Sequence, residues 1–424
     1  MKFIAGRDAL GEAVAFVSRA LPARPVVPHL SGMLLEAAAD GLTLSCFDYE
    51  VSARVRVDAE VSEPGSALVP GRLLAEITRS LPAQPAEFCR DAEMMNLACG
   101  RAEFGLVCLP AQDYPALPAS PEPAGAVDGG VLATAVAQVA PAASRDDTLP
   151  MLTAVCLDIT GDVMTLAATD RYRLAARDVT FAPAEPGLRA LALVPARFMV
   201  EAARAFVAGV PVTVAFGTDS AGASRDGGHD QPRPAEGLVC FESAGRRLTG
   251  RLIAGEFIRY RSRFGDEFGC RADLPAGPLI EAVRRAALVA ERAGPVRLSF
   301  RPDQVVIEAH AEGRAHAAET VGADFSGDET LISFNPHYLL DGLTAAATEA
   351  AAAAAEAAAD AQGPGETAAE TGAAGGSGPA AGRIRLEFNS PARPALITWT
   401  PAEEGRDGPA FKYLLVPLRI PERT

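Results

Sequence analysis

"LVPGRLLAEITRSL" (Leu68–Leu81) and "LVPARFMVEAARAF" (Leu193–Phe206) are nearly the same phrase written 125 residues apart, and a looser version, "SFNPHYLLDGL", starts at Ser333. Each reads as the end of a strand, a proline, then an amphipathic helix. Pro70, Pro195 and Pro336 stand at the helix start, where a missing N–H costs little because it has no intrahelical partner. The apolar spacing predicts a buried stripe of Leu73, Leu74 and Ile77 in the first copy, and of Phe198, Met199 and Ala202 in the second.

The repetition extends outward from that phrase. "LGEAV" at Leu10 returns as "LATAV" at Leu132 and "LIEAV" at Leu279, each opening a helical pattern. Between the two helices of each copy lie alternating strands around a polar turn: "GLTLSCFDYEVSARVRV" from Gly41, "DVMTLAATDRYRLAARDV" from Asp162 and "DQVVIEAHAEGRAHAAETV" from Asp303. Leu10, Ala13, Val14, Thr43, Leu44 and Asp48 all recur at one offset of 122. Chance matches of short Ala/Leu/Val words do not share an offset, so the chain is read as a triplication. The unit is helix, strands, helix, strands, an α+β architecture with boundaries at 1–120, 127–252 and 253–424. "LPASPEPAGAVDGG" (Leu117–Gly130) joins the first two units, and a Gly/Asp/Pro-rich insertion at 217–237 is expected to be a flexible loop. A second insertion at 344–382 is Ala-rich and then Gly/Ala/Ser-rich. Its first part is expected to be a solvated helix and the rest disordered.

Composition narrows the function. The 424 residues carry a net charge of −15, which argues against coating nucleic acid by bulk attraction while leaving room for a local basic face. No apolar run is long enough for a transmembrane helix, and "MKFIAGRDAL" does not read as a secretory signal. The seven Cys fall without C-x-x-C spacing, as reduced thiols in a cytoplasmic protein do. No Walker loop, dinucleotide fingerprint or G-x-S-x-G elbow is present. His29, His229, His310, His316 and His337 form no ligand-spaced set, so neither a metal nor another cofactor is expected. "TDRYR" at Thr169 sets acid beside base and reads as a salt-linked turn rather than a catalytic pair.

In order along the chain, "MKF", "RPVVPHLSGMLL" at Arg24, "LPAQDYPALP" at Leu109, "ATDRYRLA" at Ala168 and "YLLVPLRI" at Tyr413 resemble the bacterial DNA sliding clamp, the beta subunit of the replicative DNA polymerase. The resemblance covers the chain apart from its two insertions and last few residues. It implies three tandem copies of the DNA-clamp fold, ring-forming, with helices lining a central hole and antiparallel sheets outside. It further implies a non-catalytic homodimer that encircles duplex DNA without reading sequence. A clamp-loader ATPase opens such a ring, which then tethers the replicative polymerase catalytic subunit, other DNA polymerases and repair proteins through short linear motifs. The expected location is the cytoplasm, at the nucleoid.

Residue by residue, the resemblance maps the dimer interface to Phe104 and Leu106 on one side and Leu288 and Val289 on the other; the same residues also suit ordinary core packing. The DNA-facing set is Arg24, Arg72, Arg79, Arg197, Arg204, Arg284, Arg285 and Arg292, interspersed with Glu76, Glu201, Glu281 and Glu291, a balance suited to transient contacts with phosphates. The motif-binding pocket maps to Leu152, Thr169, Tyr172, Arg173 and Leu174, with Asn335, Tyr338, Leu414, Leu415, Val416, Pro417, Leu418 and Arg419. Two wall positions depart from the family: Ile258 where proline is frequent, and Arg263 where an aliphatic residue is usual. These departures and the insertions raise the alternative of a specialised clamp paralogue serving repair or drug tolerance. A cytosolic hydrolase built on duplicated α+β units is the alternative from another class.

Overall fold

The computed structural model describes the chain except for residues 218–234, 236, 266, 291–293, 312, 362–381, 401–409 and 420–424, and the side chains of 352–361. Within the described residues the six α-helices are α1 (Arg7–Val17), α2 (Gly71–Ser80), α3 (Gly129–Val139), α4 (Ala196–Ala205), α5 (Ala276–Val289) and α6 (Pro336–Ala361). They begin where the repeated words begin. Leu10 and Val14, Leu132 and Val136, and Leu279 and Val283 are each no more than 1% exposed. The offset shared by these words is therefore one buried helical face built three times.

The chain folds into two compact units. The first comprises Met1–Ala133, Ile159–Asp162 and Thr180–Gly255; the second comprises Thr134–Asp158, Val163–Val179 and Glu256–Thr424. Junctions between repeats lie inside these units. In the first, a nine-stranded sheet contains the first repeat's hairpin, Gly41–Phe47 and Val51–Val57. Strand Val51–Val57 then pairs antiparallel with Arg246–Arg251, the last strand of the second repeat, with Val51 opposite Gly250 and Val55 opposite Arg246. In the second unit the equivalent hairpin, Val163–Thr169 and Arg173–Thr180, pairs with Phe411–Leu415, the last strand of the third repeat, with Arg173 opposite Leu415 and Arg177 opposite Phe411. One joining rule is used twice: the second hairpin strand of one repeat takes the final strand of the next.

The hairpin turns are equivalent in detail. Asp48 Oδ1 accepts from the N–H groups of Glu50 and Val51 at 3.0 and 2.7 Å. Asp170 Oδ1 accepts from Tyr172 and Arg173, both at 3.0 Å. This Asx arrangement supports a left-handed residue at the turn, which is Tyr49 (φ 74°) in the first repeat and Arg171 (φ 79°) in the second.

Two expectations change. Leu73 is 45% exposed, whereas its counterpart Phe198 is 6% exposed. Helix α2 buries Leu74 and Ile77 as expected, with Gly71, Ala75 and Thr78 in place of Leu73. Gly71 seats this face close in, since a Cβ there would lie 2.8 Å from Leu21 Cδ1. The Ala-rich segment after Thr344 is also not a solvated helix at its start. It continues α6, with Ala345, Ala346, Glu349 and Ala350 buried against strands Arg383–Phe388, Ala395–Trp399 and Phe411–Leu415. Glu349 pairs with Arg177 at 2.9 Å and accepts from the Phe411 N–H at 3.1 and 3.2 Å. Burial raises its pKa, and Arg177 with the strand N–H groups offsets part of that rise. The remainder of that insertion, and nearly all of the one at 217–237, lie outside the described residues.

Candidate functional site

The second unit gathers most of the expected pocket around Arg173. This residue opens its strand and is 8% exposed. Its Nε bonds Asp170 Oδ2 at 3.0 Å, its Nη1 reaches Asp341 Oδ2 at 2.5 Å and Tyr413 Oη at 3.4 Å, and its Nη2 donates to the Pro141 carbonyl. The guanidinium also lies 4.2 Å from the centroid of the Tyr338 ring. Burial alone would lower the pKa of Arg173, but Tyr413, Asp341 and Asp170 outweigh it and raise the value. Arg173 is thus a fixed cation that organises two aromatic rings and two carboxylates. The pairing of Arg173 with Asp170 is the salt-linked turn expected from "TDRYR".

Around this cation the lining is apolar and aromatic. Tyr172, 54% exposed, stacks on Tyr338 with centroids 6.5 Å apart. Leu174, Leu414 and Leu415 are buried, while Val416 and Leu418 are more than a third exposed. The tail is tied down by its backbone, with Val416 N donating to Tyr172 O at 2.9 Å and Leu418 N to Ser333 O at 2.7 Å. Pro417 is buried and Arg419 exposed. Asn335 caps α6, its Oδ1 accepting from the N–H groups of His337 and Tyr338 at 2.9 and 3.2 Å. Thr169 is buried and donates to the Arg173 carbonyl at 2.6 Å. Leu152 is 6% exposed beneath a short turn. Thr169, Asn335 and Leu152 therefore hold the frame, whereas Tyr172, Tyr338, Val416 and Leu418 offer surface. Ile258 is half-buried and Arg263 exposed, both in the opening segment of the third repeat. Sequence reading missed Asp341 and Tyr413, whose role depends on α6 and the last strand converging on Arg173.

The arginine set divides by what surrounds each member. Arg24, Arg79 and Arg197 are exposed and have no ion pair among the described residues. Arg72 is exposed and donates to the Pro22 carbonyl at 2.9 Å. Arg204 pairs with Glu201 at 3.3 Å, and Glu201 also takes Arg19 at 3.0 Å. Arg284 pairs with Glu281, and Arg285 with Glu319 at 2.6 Å and Glu281 at 3.5 Å. Arg292 and Glu291 lie outside the described residues. Three of the seven described arginines are thus partly neutralised by their own surface, as the interspersed Glu residues lead one to expect.

The proposed interface residues also differ among themselves. Phe104 is half-buried, and Leu106, at 1% exposed, is a core residue of its own sheet. On α5, Leu288 is 84% exposed and Val289 half-buried.

Three family descriptions match the chain in sequence order. They are the N-terminal, central and C-terminal domains of the DNA polymerase III beta subunit, at residues 1–118, 126–258 and 267–354. The chain belongs to the bacterial beta sliding clamp family. It is 44% identical over 420 residues to the beta sliding clamp of Streptomyces coelicolor, covering 99% of this chain and 100% of that one. Identity to the beta sliding clamp homolog GriR of Streptomyces muensis is 38%, over 81% of this chain and 88% of that one. Relatives that carry the name beta sliding clamp support the main clamp reading, and nothing in them supports the specialised paralogue. The DNA polymerase sliding clamp of Bacillus subtilis has the same fold, with a TM-score of 0.80 at 24% identity, covering 99% of both chains. Beta clamps are non-catalytic processivity factors of DNA polymerase III, which removes the hydrolase alternative. Among the described residues no helix is long and apolar enough to cross a membrane.

Proposed function

We propose that two copies of this chain close head to tail into a ring around duplex DNA. The observation that carries this is the unfinished pairing pattern. The joining rule is satisfied at the first two junctions and leaves two strands over: Ala315–Gly322, the second hairpin strand of the third repeat, and Ala102–Val107, the final strand of the first repeat. Each is the edge of its sheet among the described residues. Such edges invite association unless covered, and a heterologous contact that closes covers both at once. Leu288 on α5 and Phe104 on the other edge supply apolar surface for the seam. Leu106 supports it from within, by fixing the strand.

Inside the ring, the exposed arginines would touch phosphates weakly and without base readout, which permits sliding. The pocket around Tyr172, Tyr338 and Arg173, with Val416 and Leu418, is assigned to short linear motifs of the clamp-loader ATPase, the polymerase catalytic subunit, other polymerases and repair proteins. Apolar walls with a few fixed polar groups are what such a pocket requires. The protein acts in the cytoplasm, on nucleoid DNA. Light scattering of the purified protein should give the mass of two chains, and a stable monomer at micromolar concentration contradicts the seam.

A further inference from the structure

The two joints between repeats share one register as well as one topology. The first residue of the second hairpin strand faces the fifth residue of the next repeat's final strand, and its fifth faces the first. Val51 faces Gly250 and Val55 faces Arg246 in one joint; Arg173 faces Leu415 and Arg177 faces Phe411 in the other. The hydrogen-bond phase is also shared. At the first joint Arg251 N donates to Glu50 O and Arg56 N to Gly245 O, both at 3.2 Å. At the second, Val416 N donates to Tyr172 O and Asp178 N to Ala410 O, both at 2.9 Å. Bonded pairs alternate with closer, non-bonded pairs along an antiparallel ladder, so Val51 and Arg173 both stand in non-bonded pairs. The third hairpin enters its second strand in the same way. Gly313 (φ 68°) lies two residues before Ala315, as Tyr49 (φ 74°) lies before Val51 and Arg171 (φ 79°) before Arg173.

We infer that the seam between copies closes in this register: strand Ala315–Gly322 of one copy meets strand Ala102–Val107 of the other with Ala315 facing Leu106, Ala317 facing Phe104 and Glu319 facing Ala102. The inference rests on the ring reading above and adds to it which residues meet. Two features of the strands fit it. The faces match. Leu106 is buried and Phe104 half-buried, alternating with the exposed Glu103, Gly105 and Val107; Ala317 and Glu319 are half-buried, alternating with the exposed His316, Ala318 and Thr320. A slip of one residue would set the half-buried side of one strand against the exposed side of the other. The sizes match too. Leu106 meets Ala315, Phe104 meets Ala317 and Glu319 meets Ala102, while on the exposed side Glu103 meets Ala318 and His316 meets Gly105. Large against small in every pair is the interlocking that lets two edges approach without overpacking. A slip of two residues one way would set Phe104 against Glu319, which Arg285 holds at 2.6 Å, and Glu103 against Thr320. The opposite slip carries Leu106 past the end of the strand to Gly313.

The test is disulfide trapping. Directly opposed residues have Cβ atoms about 4.5–5.5 Å apart, closest in non-bonded pairs, whereas positions two residues out of step lie about 7–8 Å apart. A disulfide needs about 3.5–4.5 Å. The background is Cys89→Ser/Cys108→Ser, which removes the two half-buried thiols and keeps the buried ones. Four double variants are oxidised mildly and compared by non-reducing electrophoresis. Phe104→Cys/Ala317→Cys and Ala102→Cys/Glu319→Cys are in register; Phe104→Cys/Glu319→Cys and Ala102→Cys/Ala317→Cys are out of step by two residues. The in-register pairs should form covalent two-chain species at least about tenfold faster than the others. One of them costs the Phe104 ring and the other the Glu319–Arg285 ion pair, so each checks the other. Equal or faster trapping of the out-of-step pairs overturns the register, as does no trapping in variants that light scattering shows to hold two chains. A single chain per particle for the unmodified protein overturns the ring reading itself, a different result from either.

Discussion

Removing the Arg173 side chain tests how the pocket is held together. Arg173→Ala deletes a cation buried to 8% exposure and strands its partners unequally. Asp341, with its side chain 42% exposed, returns to solvent at little cost. Asp170, 10% exposed, keeps two N–H donors on Oδ1 but loses the partner of Oδ2. Tyr413 still donates to the Tyr338 carbonyl at 2.8 Å. Breaking a buried ion pair by removing one partner costs about 3–5 kcal/mol. The surviving bonds to Asp170 place this case near about 3 kcal/mol, including the cation–π contact with Tyr338. At about 2–4 °C per kcal/mol for a unit of this size, the melting transition of the second unit should fall by roughly 6–12 °C. Differential scanning calorimetry reads the shift. Arg173→Lys keeps the charge without the planar fork and should recover only a minor part. A fall under about 2 °C for Arg173→Ala would mean that the cluster is not what holds this corner, and the reasoning fails.

Gly342→Ala improves helix propensity in α6 by about 1 kcal/mol, yet the added Cβ would sit 2.5 Å from the Tyr413 ring. Overpacking of about 1–3 kcal/mol should win, so the melting temperature should drop where propensity alone predicts a rise. Leu288→Glu places a charge on a side chain 84% exposed within the chain; it should shift the mass seen by light scattering toward the monomer while leaving the circular dichroism melt of the monomer intact. Asp273 has its pKa lowered: burial works against its charge, but Arg385 at 2.8 and 3.0 Å and Thr400 at 2.8 Å more than compensate. A depressed carboxylate contributes stability that is full above its unfolded value near about 3.9 and is lost as pH falls through the folded value. The stability gap between the unmodified protein and Asp273→Asn should therefore be wide at pH 6 and close steadily below about pH 4.

Much of the architecture was legible because each copy of the repeat uses the same short-range chemistry. The helix words around Leu10, Leu132 and Leu279 carry their own periodicity, and Asp48 and Asp170 mark turns whose bonds are made within three residues. What escaped depends on distant partners. Leu73 reads as buried until Gly71 and Leu21 set the roll of α2. Glu349, in an Ala-rich run with no pattern of its own, is buried because Arg177 and the Phe411 N–H lie far off in sequence. Arg173, Tyr172 and Tyr338 were named in advance from the family likeness, but Asp341, Tyr413 and the bonds of Tyr260 and Arg261 to Asp158 are visible only once segments from different repeats lie side by side. Leu106 reads as interface from its family position and as core from its burial; on an edge strand one side chain serves both.

The central claim is topological: two spare strand edges pair between copies and enclose the duplex. Loaded onto nicked circular DNA by its clamp loader and passed through a gel-filtration column in high salt, the protein should travel with the circle and be lost once the DNA is cut to a linear form with free ends. Retention that is equal on circular and linear DNA, or that disappears in salt on both, would show binding to the surface of the duplex and contradict the ring.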